Sequence, residues 1–197
     1  MSRATGRAFE QGDLTSWASR DVAPSLKRIV QSVVHFRTRR SRYVKGSGWK
    51  RLVSDLNDGS LKLKTPSATF DTWQRQGVLF LNTGLTLTRY QQGGHPHQKD
   101  GHIPLWAPVV GAICMRLAER EAAPVVFLSW GAFARRFLYR LGVLTDSTRT
   151  AQVVPRLANA GVVIRDHPAT HRFLDTPNLF REVNQNLRAL GAEPIDW

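Results

Sequence analysis

The chain has 197 residues and 42% hydrophobic content, the size and composition of one globular domain with a proper core. Lysine and arginine number 28 against 15 acids, and the net charge of +13 points to a polyanionic partner. A single cysteine excludes an internal disulfide, and no apolar segment has the length needed to span a bilayer. Six tryptophans and nine phenylalanines set the chain apart from a basic ribosomal-type protein and suit a packed domain.

The N-terminus is basic and lacks a hydrophobic signal core. Pro24-Ser25 opens a helix toward Phe36, because Leu26, Ile29, Val30, Val33 and Val34 recur at helical spacing. From Arg37 to Arg51 there are seven basic residues and no acid, interrupted by Gly46-Ser47-Gly48, which reads as a loop or two short helices. Residues 57–68 are turn-rich, and Phe70–Arg75 is a short helical lead into the apolar run Gly77–Asn82. That run predicts a strand buried on both faces. Residues 91–104 read as a polar loop. A helix is expected over Ala107–Arg120, with a stripe at Val110, Ile113, Cys114 and Leu117 that makes Cys114 a core filler. Strand 125–129, helix Ala132–Leu141, strand Val162–Ile164 and helix Asn178–Leu190 follow. Strands alternating with helices predict a parallel α/β sheet.

Asn82 sits at the mouth of the first of these strands, where an open α/β sheet binds its ligand. Its amide offers a donor and an acceptor, which suits reading the edge of a nucleobase. The residue does not choose the base: one rotation fits uracil and the other cytosine. The ordinary alternative is a turn residue that ends a strand. His167-Pro168 follows another strand, and a surface-loop histidine is the plain reading of that pair. The loop from Gly94 holds His95, His97 and His102, but the spacing matches no helix-borne ligand pair and no cysteine supports a metal site. Arg39, Arg40 and Arg42, with Tyr43 and Trp49 interleaved, favour phosphate contact over a merely solvated face.

Gly77-Val78-Leu79-Phe80-Leu81-Asn82 with Leu85-Thr86, Val125–Gly131, the His167-Pro168 pair and the terminal Glu193-Pro194-Ile195-Asp196-Trp197 together resemble the uracil-DNA glycosylase family, in family order and at roughly family spacing. Ala23-Pro24-Ser25-Leu26 resembles the family's proline-serine loop. Thr5–Phe9 resembles the segment whose phenylalanine stacks on the flipped base, and His97–Gly101 resembles a histidine- and lysine-rich loop.

The resemblance implies one glycosylase-like domain over 1–197, folded as a three-layer α/β/α sandwich with a short, mainly parallel central sheet. It implies a DNA partner, no cofactor, a monomer and a bacterial or viral cytoplasmic setting. In that reading Phe9 stacks on the extruded base, Asn82 reads its edge, and His167 donates to base O2 as the anionic base departs. Pro24, Ser25, Gly131 and Ala132 contact the DNA backbone, with Ala132 where the family has serine. His171 stands where the family has a wedging leucine, followed by Arg172 and Phe173, so the wedge becomes an aromatic or guanidinium plug.

The main departure lies in front of Phe9. The family carries a strand and a Gln-Asp-Pro-Tyr loop there, and the eight residues before Phe9 contain neither Asp nor Tyr. Glu10, Asp13 and Asp166 are the acids that could replace the water-positioning aspartate. A missing tyrosine opens the pocket wall toward pyrimidine C5, which implies a bulky C5-modified pyrimidine such as glucosylated hydroxymethylcytosine in phage DNA, and hence anti-phage defence. The alternatives are an ordinary uracil-DNA glycosylase with a truncated front and a non-catalytic DNA-binding protein of the same fold.

Overall fold

The structure, a computed structural model, describes residues 5–86, 102–175 and 177–197. In chain order its elements are α1 (Pro24–Thr38), α2 (Gly48–Asn57), α3 (Pro66–Arg75), α4 (Ile103–Ala118), β1 (Val125–Trp130), α5 (Gly131–Arg140), β2 (Ala160–Arg165) and α6 (Leu179–Ala189). Short 3-10 turns stand at Ser41–Tyr43 and His171–Leu174.

Local chemistry sets the helix starts. Pro24 and Pro66 occupy the first turns of α1 and α3, where a missing N–H leaves no bond unmade. Thr65 caps α3 through its hydroxyl, which accepts from the Ala68 N–H. The Asn178 side chain accepts from the N–H groups of Phe180 and Arg181 and caps α6. Its amide also donates to Ser32 O at 2.8 Å, which ties the start of α6 to the middle of α1.

β1 and β2 pair in parallel, from Val125 opposite Ala160 to Trp130 opposite Arg165. Their side chains alternate and divide the interior in two. Val126, Leu128, Trp130 and Val163 join one cluster with the apolar faces of α1, α3 and α6. Val125, Phe127, Val162 and Ile164 join a second cluster with α4 and α5. Helices thus cover both faces of the sheet, the three-layer α/β/α arrangement that the resemblance implies. Leu26, Ile29, Val30, Val33 and Val34 are all buried, as the helical spacing requires, and Leu179, Phe180 and Val183 are buried on α6.

The apolar run at 78–82 departs from the sequence expectation. Among the described residues it joins no ladder, and the sheet has two strands. A strand needs a neighbour to take its N–H and C=O groups. Here the run and β1 both line one cavity of about 610 Å³. The run is anchored by side chains instead. Phe80 packs 4.9 Å from Phe70 and 6.1 Å from Trp73, and the Val78 N–H donates to Trp73 O. Val78 and Phe80 feed the α1/α3/α6 cluster and Leu81 feeds the other, the same division that β1 shows.

Cys114 is buried on α4, and burial pushes its thiol up from the ordinary value. It is a core filler, as its apolar stripe predicts. Among the described residues no helix is long and apolar enough to cross a membrane.

Candidate functional site

The carboxyl ends of β1 and β2 bring three distant residues together. Trp130 ends β1, His167 follows β2, and Phe9 arrives from the front of the chain. The Phe9 ring lies 4.9 Å from Trp130 in an edge-on contact and 5.7 Å from the His167 imidazole at 45°. Phe9 holds a positive φ of 69°, a conformation that costs a non-glycine residue energy and persists only when its surroundings hold it. Trp130 in turn rests edge-on against Phe173 at 5.7 Å.

Backbone contacts fix the imidazole. The Ala169 N–H donates to His167 Nδ1 at 3.1 Å, so a neutral ring carries its proton on Nε2. The His167 carbonyl accepts from the Thr170 N–H and hydroxyl at 2.9 and 3.0 Å, closing the turn after the histidine. Gly131, with φ of 89°, lies so close that a Cβ on it would stand 3.2 Å from His167 Cβ. The turn from β1 into α5 therefore needs glycine for both its backbone and its approach to the histidine.

Arg28 on α1 clamps the same loop. Its guanidinium donates to Pro168 O at 2.9 Å and Ala169 O at 3.0 Å, and its second nitrogen lies 3.4 Å from His171 Nε2. Sequence reasoning passed over Arg28. It has no motif, and its partners lie 140 and 141 positions away.

Two candidate acids are already engaged. The Arg7 guanidinium binds both oxygens of the buried Glu10 carboxylate and also reaches Asp71. Arg149 grips Asp166 at 2.7 and 3.0 Å. Both carboxylates are held as ion pairs with charge-assisted hydrogen bonds.

Asn82 is exposed at the end of its run, and among the described residues no hydrogen bond joins it to Phe9 or His167. The segment after it is held: the Thr86 hydroxyl accepts from Trp106 Nε1 at 2.8 Å and meets His102 Nδ1 at 2.8 Å. His95 and His97 lie outside the described residues.

No family profile matches the chain. The uracil-DNA glycosylase of Streptococcus mutans is 30% identical over 151 residues, which cover 75% of this chain and 57% of that protein. That of Limosilactobacillus reuteri is 33% identical over 155 residues, covering 76% and 56%. That of Bordetella pertussis is 34% identical over 131 residues, covering 64% and 44%. Over three quarters of its length the chain is similar to uracil-DNA glycosylases. It spans about half the length of the curated relatives it matches. A solved structure of a UNG point mutant from Nitratifractor salsuginis overlays 98% of this chain and 67% of its own at a TM-score of 0.57 and 21% identity, which shows the shared fold.

The remaining residues carried over from the superfamily pattern spread around the site. Pro24 and Ser25 open α1, four and three positions before Arg28. Gly131 and Ala132 open α5 beside His167. His171 and Arg172 are exposed in the 3-10 turn, whereas Phe173 is buried against Trp130. Phe173 is therefore a core residue, and the two exposed members of the trio are His171 and Arg172. The basic stretch lies elsewhere. It begins where α1 ends, and 15 helical residues put that end about 22 Å from the end that holds Arg28. Arg39 and Arg40 are exposed there, while Arg42 is bound to Asp55 and to the Tyr43 hydroxyl. Arg42 also lies over the Tyr43 ring at 5.0 Å.

Proposed function

We propose that this chain is a DNA glycosylase that extrudes a pyrimidine nucleotide and cleaves its N-glycosidic bond, leaving an abasic site. The observation that carries this reading is the Phe9–His167 pair at the carboxyl ends of the parallel strands, with the histidine proton directed to Nε2 by the Ala169 N–H. Phe9 supplies a stacking face for the extruded base, worth about 1–3 kcal/mol. The base leaves as an anion, and a donor aimed at its O2 acts where that charge develops. His167 fills that role through its Nε2–H, because Nδ1 is taken by the Ala169 N–H. Asn82 reads the Watson–Crick edge. Pro24, Ser25, Gly131, Ala132, His171 and Arg172 grip the backbone around the flipped nucleotide.

Departure of the base dominates the barrier, and the ion-paired state of Glu10 and Asp166 agrees with a site that leans on leaving-group stabilisation. A single general base contributes about 10²–10⁴-fold, so a site without one still exceeds water by the remaining terms.

The finer reading is a pyrimidine with a bulky C5 group, such as glucosylated hydroxymethylcytosine in phage DNA. Its support is that Ala8, next to Phe9 in sequence, carries a single methyl, and that an added Cβ on Gly6 would meet nothing within 4 Å. Uracil is the second reading, favoured by the names of the relatives. The test incubates the chain with uracil, plain and glucosyl-hydroxymethylcytosine DNA and then cleaves abasic sites with alkali. Cleavage confined to the hypermodified DNA is the expected result. Cleavage confined to uracil DNA replaces the substrate and keeps the reaction. Tight DNA binding with no cleavage of any of the three removes the enzymatic reading.

A further inference from the structure

We infer that Arg7 is a positioning residue of the base site: its guanidinium closes the turn that presents the Phe9 ring and docks that turn on α3. The inference rests on the reading of Phe9 as the stacking face. The turn needs such support. The Glu10 N–H donates to Arg7 O at 3.3 Å, so residues 7–10 form a β-turn with Phe9 in its third position. Phe9 holds a φ of 69° there, in a place that ordinarily goes to glycine or asparagine. A phenylalanine keeps that conformation only where neighbouring bonds hold it. Ala8 and Glu10, on either side of it in sequence, are buried, whereas Phe9 is half-buried at the mouth of the site.

Arg7 supplies those bonds. Its Nε and Nη2 donate to the two carboxylate oxygens of Glu10 at 2.8 and 2.5 Å, a fork-on-fork pair that spans the turn. Its Nη1 donates to Asp71 Oδ1 at 2.6 Å and to Gln74 Oε1 at 3.0 Å, both on α3. The guanidinium also lies over the Phe70 ring, 5.8 Å from its centre. Four of the five N–H donors of the group are thus engaged by protein, so its work is done inside the molecule rather than on a DNA phosphate. A lysine would carry the same charge without the planar fork that reaches acceptors on two elements at once.

The choice of α3 as the dock matters for the base. Phe70 and Trp73 of α3 pack against Phe80, and Trp73 O accepts from the Val78 N–H. That run ends at Asn82, the proposed reader of the base edge. Arg7 therefore ties the stacking face and the edge reader to one helix, through partners 64 and 67 positions away in the chain. The Phe9 ring meets Trp130 at 4.9 Å and His167 at 5.7 Å at the carboxyl ends of the parallel strands. Releasing the turn from α3 lets the ring leave both and lose its overlap with an extruded base. His167 keeps its own support from Ala169 and Gly131. The consequence is slower excision at unchanged DNA affinity.

The experiment compares the full chain with Arg7→Lys, Asp71→Ala, Phe9→Ala and the double variant Arg7→Lys/Phe9→Ala. Arg7→Lys keeps a positive charge beside the buried Glu10, and Asp71→Ala removes a carboxylate that is 45% exposed, so neither strands a buried charge. Proton cross-relaxation between the Phe9 ring and the His167 imidazole, measured without DNA, is expected to be lost in Arg7→Lys and in Asp71→Ala. Single-turnover excision from uracil or glucosyl-hydroxymethylcytosine DNA, whichever the chain cleaves, is expected to slow by at least about five-fold in both, the scale of one lost base–aromatic stack. The dissociation constant for the same DNA and its salt slope are expected to stay unchanged. In the Phe9→Ala background Arg7→Lys is expected to slow nothing further, because the two residues act as one unit. Cross-relaxation retained in both variants, or rate losses that multiply in the double variant, would overturn the inference and leave the stacking role of Phe9 standing. An undiminished rate in Phe9→Ala would overturn the stacking role and the inference with it. The cross-relaxation requires no substrate, so it decides the positioning of the ring whatever base the site excises.

Discussion

Val125–Trp130 and the 78–82 run carry the same kind of sequence, apolar residues leading to a polar or aromatic end. Both feed the same two clusters. β1 has β2 beside it and becomes a strand with a defined register, and the loop after its partner carries His167. The 78–82 run has side-chain anchors in Phe70 and Trp73 but no neighbour in a ladder, and Leu79 is 58% exposed. The contrast shows that an apolar alternation specifies which faces are buried, whereas a strand also needs a partner for its backbone. With no ladder partner and an exposed Leu79, the 78–82 run is the softer of the two segments.

Stability measurements break or sharpen that contrast most strongly. Leu26 is fully buried on α1 and stands outside the lining of the cavity. Leu26→Ala is expected to destabilise the chain by about 2–5 kcal/mol in urea titration. Leu79→Ala, on the soft side, is expected to change stability by no more than about 0.5 kcal/mol. Similar losses for both variants would erase the distinction. A second contrast concerns charge. Arg39 and Arg40 are exposed beyond α1, so their joint replacement by Ala is expected to lower the slope of log affinity for DNA against log salt by about two and leave the melting temperature alone. Arg42→Ala is expected to act in the opposite sense, lowering the melting temperature through the lost bonds to Asp55 and Tyr43 with little change in the salt slope. A salt slope that ignores Arg39 and Arg40 would remove that end of α1 from the DNA surface.

The smallest expected effect is a pH dependence at His35. Burial first, and the Arg181 charge second, hold its imidazole below the ordinary 6.5. The folded chain thus binds this proton less readily than the unfolded chain. The stability is full above pH 6.5 and declines as pH falls through 6.5 toward the lower folded value. His35→Gln is expected to flatten the stability profile in that window, and an unchanged profile would show that His35 plays no part in it.

Much of the fold was legible because helical spacing is local. Leu26 to Val34 and Leu179 to Val183 announce their buried faces without help from the rest of the chain. The Pro24 and Asn178 starts were legible for the same reason. α3 begins at Pro66 rather than near Phe70, because the turn residues that suggested a loop supply its cap and first turn. The site was legible only through the ordered resemblance. No local signal tells that Phe9 meets His167 across 158 positions, or that Arg28 clamps the loop beyond it. Phe173 reads as an exposed loop aromatic in sequence and proves to be the support of Trp130. These are tertiary contacts, and composition and periodicity do not record them.

His167 is the residue on which the proposed chemistry turns. The decisive measurement is single-turnover release of base by the chain and by His167→Ala, on whichever DNA the chain cleaves. The donor role predicts a rate about 10²–10³-fold slower, the usual consequence of removing one such donor, with DNA affinity nearly unchanged. An undiminished rate in the variant would contradict the account, because the one side chain that the Ala169 N–H and Gly131 hold in place beside Phe9 would then have no part in the chemistry.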